Sequence, residues 1–125
     1  DIWHPLIEAG ITKEDVKNIL KKENISIWNK SPSPCMATRI PYGEEITSGK
    51  IEKADLVESR LRELNFDNPR CRVYGSDNLV GVIEVKDPER AFRMFDEISG
   101  GIKGIRLTVD PKGYRTGSMN EDKIR

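Results

Sequence analysis

The chain has 125 residues, enough for one domain with a real core plus an attached arm and too few for two domains of ordinary size. Charged residues make up 34% and hydrophobic ones 36%, which reads as globular rather than disordered, and 21 Lys and Arg balance 21 Asp and Glu. That balance argues against a general nucleic-acid coat, because phosphate binding draws on a surplus of cations that releases counterions.

No apolar run approaches the roughly 18 residues needed to span a bilayer, and Asp1-Ile2-Trp3-His4 has neither a basic n-region nor an apolar h-region. A cytoplasmic protein without a membrane segment is expected. The opening Asp in place of Met leads us to expect an upstream segment. Cys35, Cys71 and the single His4 have neither the number for a disulfide framework nor the spacing of a zinc site, so no metal is expected on this chain.

In chain order, Thr12 and Asp15 predict a capped helix start, followed by a helix that buries Val16, Ile19 and Leu20 and stops by Asn24. Ile25 to Trp28 is a connector, with Trp3 and Trp28 as packing anchors. Residues 29–45 hold Pro32, Pro34, Pro41 and Gly43 without apolar periodicity, which predicts a long, mobile, functional loop. From Thr47, Ile51, Ala54, Val57, Leu61 and Leu64 recur at steps of three and four and predict a helix whose Asp and Glu form a solvated face. The period then falls to two, with Arg70 and Arg72 on one side of a strand and Cys71 and Val73 on the other. A turn at Gly75 to Asn78 and a return strand over 79–85 complete a hairpin.

Asp87-Pro88-Glu89 opens a further helix with Ala91, Phe92, Phe95 and Ile98 inward, ended by Gly100-Gly101. Ile105, Leu107 and Val109 mark a third strand, and a polar tail runs from Pro111. The expected class is α+β: an N-terminal helical arm and long loop, then a small antiparallel sheet in the order helix, hairpin, helix, strand, with helices on one face.

Cys35 lies between prolines, four residues before Arg39, and a nearby guanidinium favours the reactive thiolate. On spacing alone a loop cysteine reads more often as a packing residue than as a nucleophile. Cys71, inward on a strand, reads as a core thiol. Arg70, Arg72, Arg106 and Arg115 are candidates to cluster around a phosphate or carboxylate, although arginines on the outer face of a strand are commonly just solvated. Gly113 to Ser118 supplies small residues near which an anion fits, without the full phosphate-loop spacing. His4 has no acid, serine or metal partner in sequence.

Three stretches carry a resemblance: Trp28-Asn29-Lys30-Ser31-Pro32, then Cys35-Met36-Ala37-Thr38-Arg39-Ile40-Pro41-Tyr42-Gly43, then Gly113-Tyr114-Arg115-Thr116-Gly117-Ser118-Met119-Asn120-Glu121. Together they resemble the LarE family of sacrificial sulfur transferases, within the PP-loop ATP pyrophosphatase superfamily, which help build a nickel-pincer cofactor. The resemblance implies that Cys35 attacks an adenylated carboxylate of a nicotinate-derived mononucleotide and gives up its sulfur. It implies substrate-binding roles for Thr38, Arg39, Arg70, Arg72, Arg115 and Ser118. Thr38 stands where that family usually has serine, and Val82 where it has an arginine ahead of the Ile-Glu pair, with Glu84 retained.

No Ser-Gly-Gly-x-Asp-Ser loop for ATP occurs in these residues. ATP and magnesium are therefore expected to bind through an N-terminal nucleotide-binding domain or subunit outside this chain, which by itself binds no cofactor and is expected to be inactive alone. On this reading 1–46 closes the nucleotide-domain region and carries the cysteine loop, while 47–125 is a small domain for substrate binding and homo-oligomer assembly. Two other readings stay open. One is a different PP-loop activity, such as tRNA thiolation or amide formation. The other is a non-catalytic oligomerisation module.

Overall fold

The computed structural model describes residues 2–29, 34–115 and 117, and the chain forms two compact units, Asp1–Ser33 and Pro34–Arg125. The first holds helix α1 (Pro5–Glu8), helix α2 (Lys13–Lys22) and a 3-10 turn at Ser26–Asn29. The expected cap is present in reciprocal form, with the Asp15 N–H donating to Thr12 Oγ1 at 3.2 Å and the Thr12 N–H to Asp15 Oδ2 at 2.9 Å. The Thr12 hydroxyl and N–H hold the Asp15 carboxyl below its ordinary value.

The apolar face of α2 is not buried as its spacing suggested. Among the described residues of this unit none is buried, Ile19 is 50% exposed and Trp3 is 73% exposed. A short helical arm has too little neighbouring surface of its own to cover these side chains. Trp28 finds only a partial cover, with the Lys21 ammonium 4.3 Å from its ring centroid.

The second unit opens with a 3-10 turn, Met36–Arg39, and continues through helix α3 (Ser48–Glu63), strands β1 (Arg70–Tyr74) and β2 (Val80–Glu84), helices α4 (Pro88–Arg93) and α5 (Phe95–Ser99), and strand β3 (Arg106–Val109). Thr47 caps α3, accepting from the Lys50 N–H, and Asp87 caps α4, accepting from the Arg90 N–H. The α+β class therefore stands, with one change in the sheet. Strands β1 and β2 pair as the expected antiparallel hairpin, Cys71 opposite Ile83, but β3 runs parallel to β2, with Gly81 beside Leu107 and Ile83 beside Val109. A tight turn joins antiparallel neighbours, whereas the helical crossover through α4 and α5 returns the chain in the same direction as β2.

One sheet face, formed by Cys71, Val73, Ile83 and Val109, is covered by Ala54, Val57 and Leu61 of α3, Ala91 of α4 and Ile98 of α5. Burial of Leu61, Ile83 and Ile98 stabilises the unit by roughly 1.5–3 kcal/mol each. Gly81 makes room for this layer, since a Cβ there would stand 2.8 Å from Leu107 Cδ2 and 3.1 Å from Cys71 Sγ. The helix expected over 88–99 divides at Met94 into two short segments; Ala91 and Ile98 lie inside, as expected, while Phe92, one position round α4 from Ala91, is 51% exposed.

Candidate functional site

Two-residue periodicity puts Arg70 and Arg72 on the face of β1 opposite the core. They are not solvated there: Arg70 is only 6% exposed. Both line a cleft of about 170 Å³ that Arg39 and Arg115 also line, with Pro34, Thr38, Tyr114 and Gly117 beside them among the described residues.

Each arginine is held from a different element. The Thr38 hydroxyl and N–H both reach back to the Cys35 carbonyl, at 2.7 and 3.0 Å, and close the turn. At the end of that turn Arg39 makes a two-pronged pair with Glu58 of α3, Nε to Oε1 at 2.5 Å and Nη2 to Oε2 at 3.0 Å. Arg72 donates from Nε to Glu84 Oε1 at 2.7 Å and from Nη1 to the Thr38 carbonyl at 3.1 Å, which joins β1 to the turn. The Arg70 guanidinium lies 5.8 Å from the Tyr114 ring centroid, and burial, followed by the Arg39 charge, pulls its pKa below the ordinary value.

The tail reaches the cleft because Gly113, at φ +67°, redirects the chain after β3 and lets the Tyr114 N–H bond the Val85 carbonyl at 2.9 Å. Arg115 then leans on Asp110 with a long Nη1 to Oδ2 contact of 3.4 Å. Four guanidinium groups around a small cavity suit a phosphate or a carboxylate, which accept parallel donors.

Cys35 is exposed and opens the turn; it does not itself line the cleft, although its neighbour Pro34 and its bonding partner Thr38 do. Cys71 faces the core, fully buried, and its pKa is pushed up to about 12 first by burial and then by the charges of Glu58 and Glu84. It is a packing thiol, as its alternation suggested.

Of the residues singled out in sequence, Thr38, Arg39, Arg70, Arg72 and Arg115 meet at one cleft, and Ser118 lies outside the described residues. Arg106 does not join them. It pairs in register with Val80, toward the other end of the sheet, and lines a separate depression with Asp77 and Gly104. The reading of the helix acids as a solvated face fails at Glu58, which is 0% exposed. The sequence held a signal for it: position 58 is four after Ala54 and three before Leu61, inside the apolar stripe. Arg39, only 2% exposed, bonds that carboxylate through Nε and Nη2 and the Thr38 hydroxyl through Nη1, which makes it a structural cation. Among the described residues no group of three His, Cys, Asp or Glu side chains is placed to hold a metal ion. Nor, among them, is any helix long and apolar enough to cross a membrane.

Comparison with known proteins adds sequence similarity to this geometry. No family model matches the chain. It is 32% identical over 124 residues to an uncharacterised protein of Synechocystis sp., covering 93% of this chain and 45% of that protein. It is 30% identical over 120 residues to the pyridinium-3,5-bisthiocarboxylic acid mononucleotide synthase of Lactiplantibacillus plantarum, covering 93% of this chain and 43% of that enzyme. The chain thus spans less than half the length of the curated relatives it matches.

Proposed function

We propose that this chain is the substrate-binding and sulfur-donating portion of an ATP-dependent, LarE-like sulfur transferase that acts on a carboxylate of a nicotinate-derived mononucleotide. The observation that carries the reading is the exposed Cys35 opening a turn whose Thr38 and Arg39 form part of a four-arginine cleft. The similarity to a synthase whose product is a thiocarboxylic acid mononucleotide supports it. The proposal includes an upstream ATP- and magnesium-binding domain or subunit, a homo-oligomer and a cytoplasmic location.

Adenylation outside this chain turns the substrate carboxylate into an acyl adenylate and releases pyrophosphate. Arg70, Arg72 and Arg115 then hold the substrate's anionic group by parallel N–H donors, while the Thr38 hydroxyl, donating to the Cys35 carbonyl and accepting from Arg39 Nη1, orders the turn beside them. The Cys35 thiolate attacks the acyl carbon, a C–S bond forms and AMP departs with the electron pair of the broken C–O bond. Removal of the Cys35 α-proton then expels the sulfur from Cβ with its bonding pair. The products are a thiocarboxylate on the substrate and dehydroalanine in the protein, so each chain acts once.

Intact mass spectrometry of the full-length protein, before and after incubation with ATP, magnesium and the nicotinate-derived mononucleotide, tests this. Loss of one hydrogen sulfide mapped to Cys35 is the expected result. An unchanged mass in a sample that releases pyrophosphate moves the activity to a recycled cysteine, as in tRNA thiolation, or to amide formation. Neither pyrophosphate release nor a mass change leaves a non-catalytic assembly module.

A further inference from the structure

We infer that Glu58 is a positioning residue for sulfur transfer, clamping the turn that bears Cys35 to the strand that bears Arg70 and Arg72; the inference rests on the reading of Cys35 as the sulfur donor. A carboxylate buried to 0% exposure is costly unless its oxygens are satisfied, and an apolar residue of like volume at such a site commonly stabilises a fold as well or better. A reason other than packing is called for at position 58.

That reason lies in what the carboxylate joins. Its Oε1 accepts from Arg39 Nε at 2.5 Å and from the backbone N–H of Cys71 at 3.0 Å, while Oε2 accepts from Arg39 Nη2 at 3.0 Å. Arg39 ends the turn that opens on Cys35, and Cys71 sits between Arg70 and Arg72 on β1, an edge strand of the sheet. A single oxygen therefore spans the nucleophile's turn and the cationic strand. The Arg62 guanidinium, 3.5 Å from Oε2 and one helical turn away, supports the same carboxylate from the solvent side.

Without the clamp the turn retains its contact through the Arg72 bond to Thr38 but loses its anchor on α3. Small displacements of a nucleophile from its reacting carbon slow transfer steeply, on the order of a hundredfold for about 1 Å. Steps completed before the thiol acts are untouched by such a displacement.

The test compares native full-length protein with Glu58→Gln by two measurements. Hydrogen exchange of the amides of residues 36–40 is expected to quicken by at least about tenfold, with β2 and β3 unchanged. Conversion of Cys35 in a single turnover is expected to slow by at least about tenfold while pyrophosphate release keeps its native rate, a split that partial unfolding does not produce. Unchanged exchange over 36–40 overturns the inference, and so does quickened exchange with native-rate conversion. Where Glu58→Gln does not fold, the double variant Arg39→Gln, Glu58→Gln removes both buried charges, and native-like exchange of the turn in that protein overturns the clamp. Absence of Cys35 conversion in the native protein removes the sulfur-transfer role, and exchange then decides the clamp by itself.

Discussion

Arg72 donates from Nη1 to the carbonyl of Thr38 at 3.1 Å while its Nε is bound to Glu84 at 2.7 Å. One planar fork thus ties a strand to a turn through two directed bonds, a geometry that a lysine ammonium does not reproduce. Arg72→Lys is expected to keep the fold and slow Cys35 conversion about tenfold, measured by intact mass against time. Arg72→Met also removes the cation from a nearly buried pair and is expected to cost roughly 3 kcal/mol in a denaturant melt. Native conversion by Arg72→Lys is the result that sinks this role.

The two cysteines are expected to separate cleanly under alkylation. At about pH 8 a thiol with a pKa of about 12 is thiolate on the order of one part in ten thousand, and Cys71 is shielded by the core as well. Iodoacetamide is expected to mark Cys35 alone in the native protein and both residues in denaturant. Native-state labelling of Cys71, located by peptide mapping, contradicts its placement.

Acid is expected to loosen the connection between α3 and the β1–β2 turn. Glu44 accepts from Lys50 Nζ at 2.7 Å and from the Gly75 N–H at 3.2 Å, and these two bonds, in that order, hold its carboxyl below the ordinary 4.5. A depressed folded value means that the stabilisation is complete above the unfolded value of about 4.5 and is lost as pH falls through the lower folded one. Melting temperatures of native protein and Glu44→Gln are therefore expected to converge between about pH 6 and about pH 3. A gap that stays constant over that range shows that Glu44 contributes nothing through its charge.

Gly113→Ala tests the route of the tail. A Cβ at this position stands 2.6 Å from the Val85 carbonyl oxygen, at a φ of +67° that alanine rarely adopts. Inorganic phosphate is expected to raise the melting temperature of the native protein; the variant is expected to lose about 1–3 kcal/mol and, because Tyr114 and Arg115 follow directly, most of that phosphate effect. A phosphate-induced shift of native size in the variant refutes the link between this glycine and the cleft.

Local chemistry was legible in the sequence where near neighbours decide the structure. The Thr12 cap, the three-four spacing of α3 and the alternation of β1 act within one or two turns of chain, and all three appear as read. What depends on a distant partner was not. The direction of β3 is set by a crossover, and the pairing of Arg39 with Glu58 bridges nineteen positions. At the site, alternation named Arg70 and Arg72 and the family resemblance singled out Cys35, while the carboxylate that holds Arg39 beside β1 was one that charge patterning assigned to solvent.

Among the described residues, cleft arginines are paired with carboxylates: Arg39 holds Glu58, Arg72 holds Glu84 and Arg115 holds Asp110. Seen from several ångströms away, such paired charges form dipoles whose fields fade much faster than that of an isolated cation. For an anion bound as proposed, these pairs add little long-range attraction, and its association rate is expected to change only modestly with ionic strength. For such an anion, recognition is decided after contact, where it shares each guanidinium with an internal carboxylate. An anion that engages only one guanidinium at a time has little advantage over that carboxylate, and the cleft thereby favours one that engages two at once.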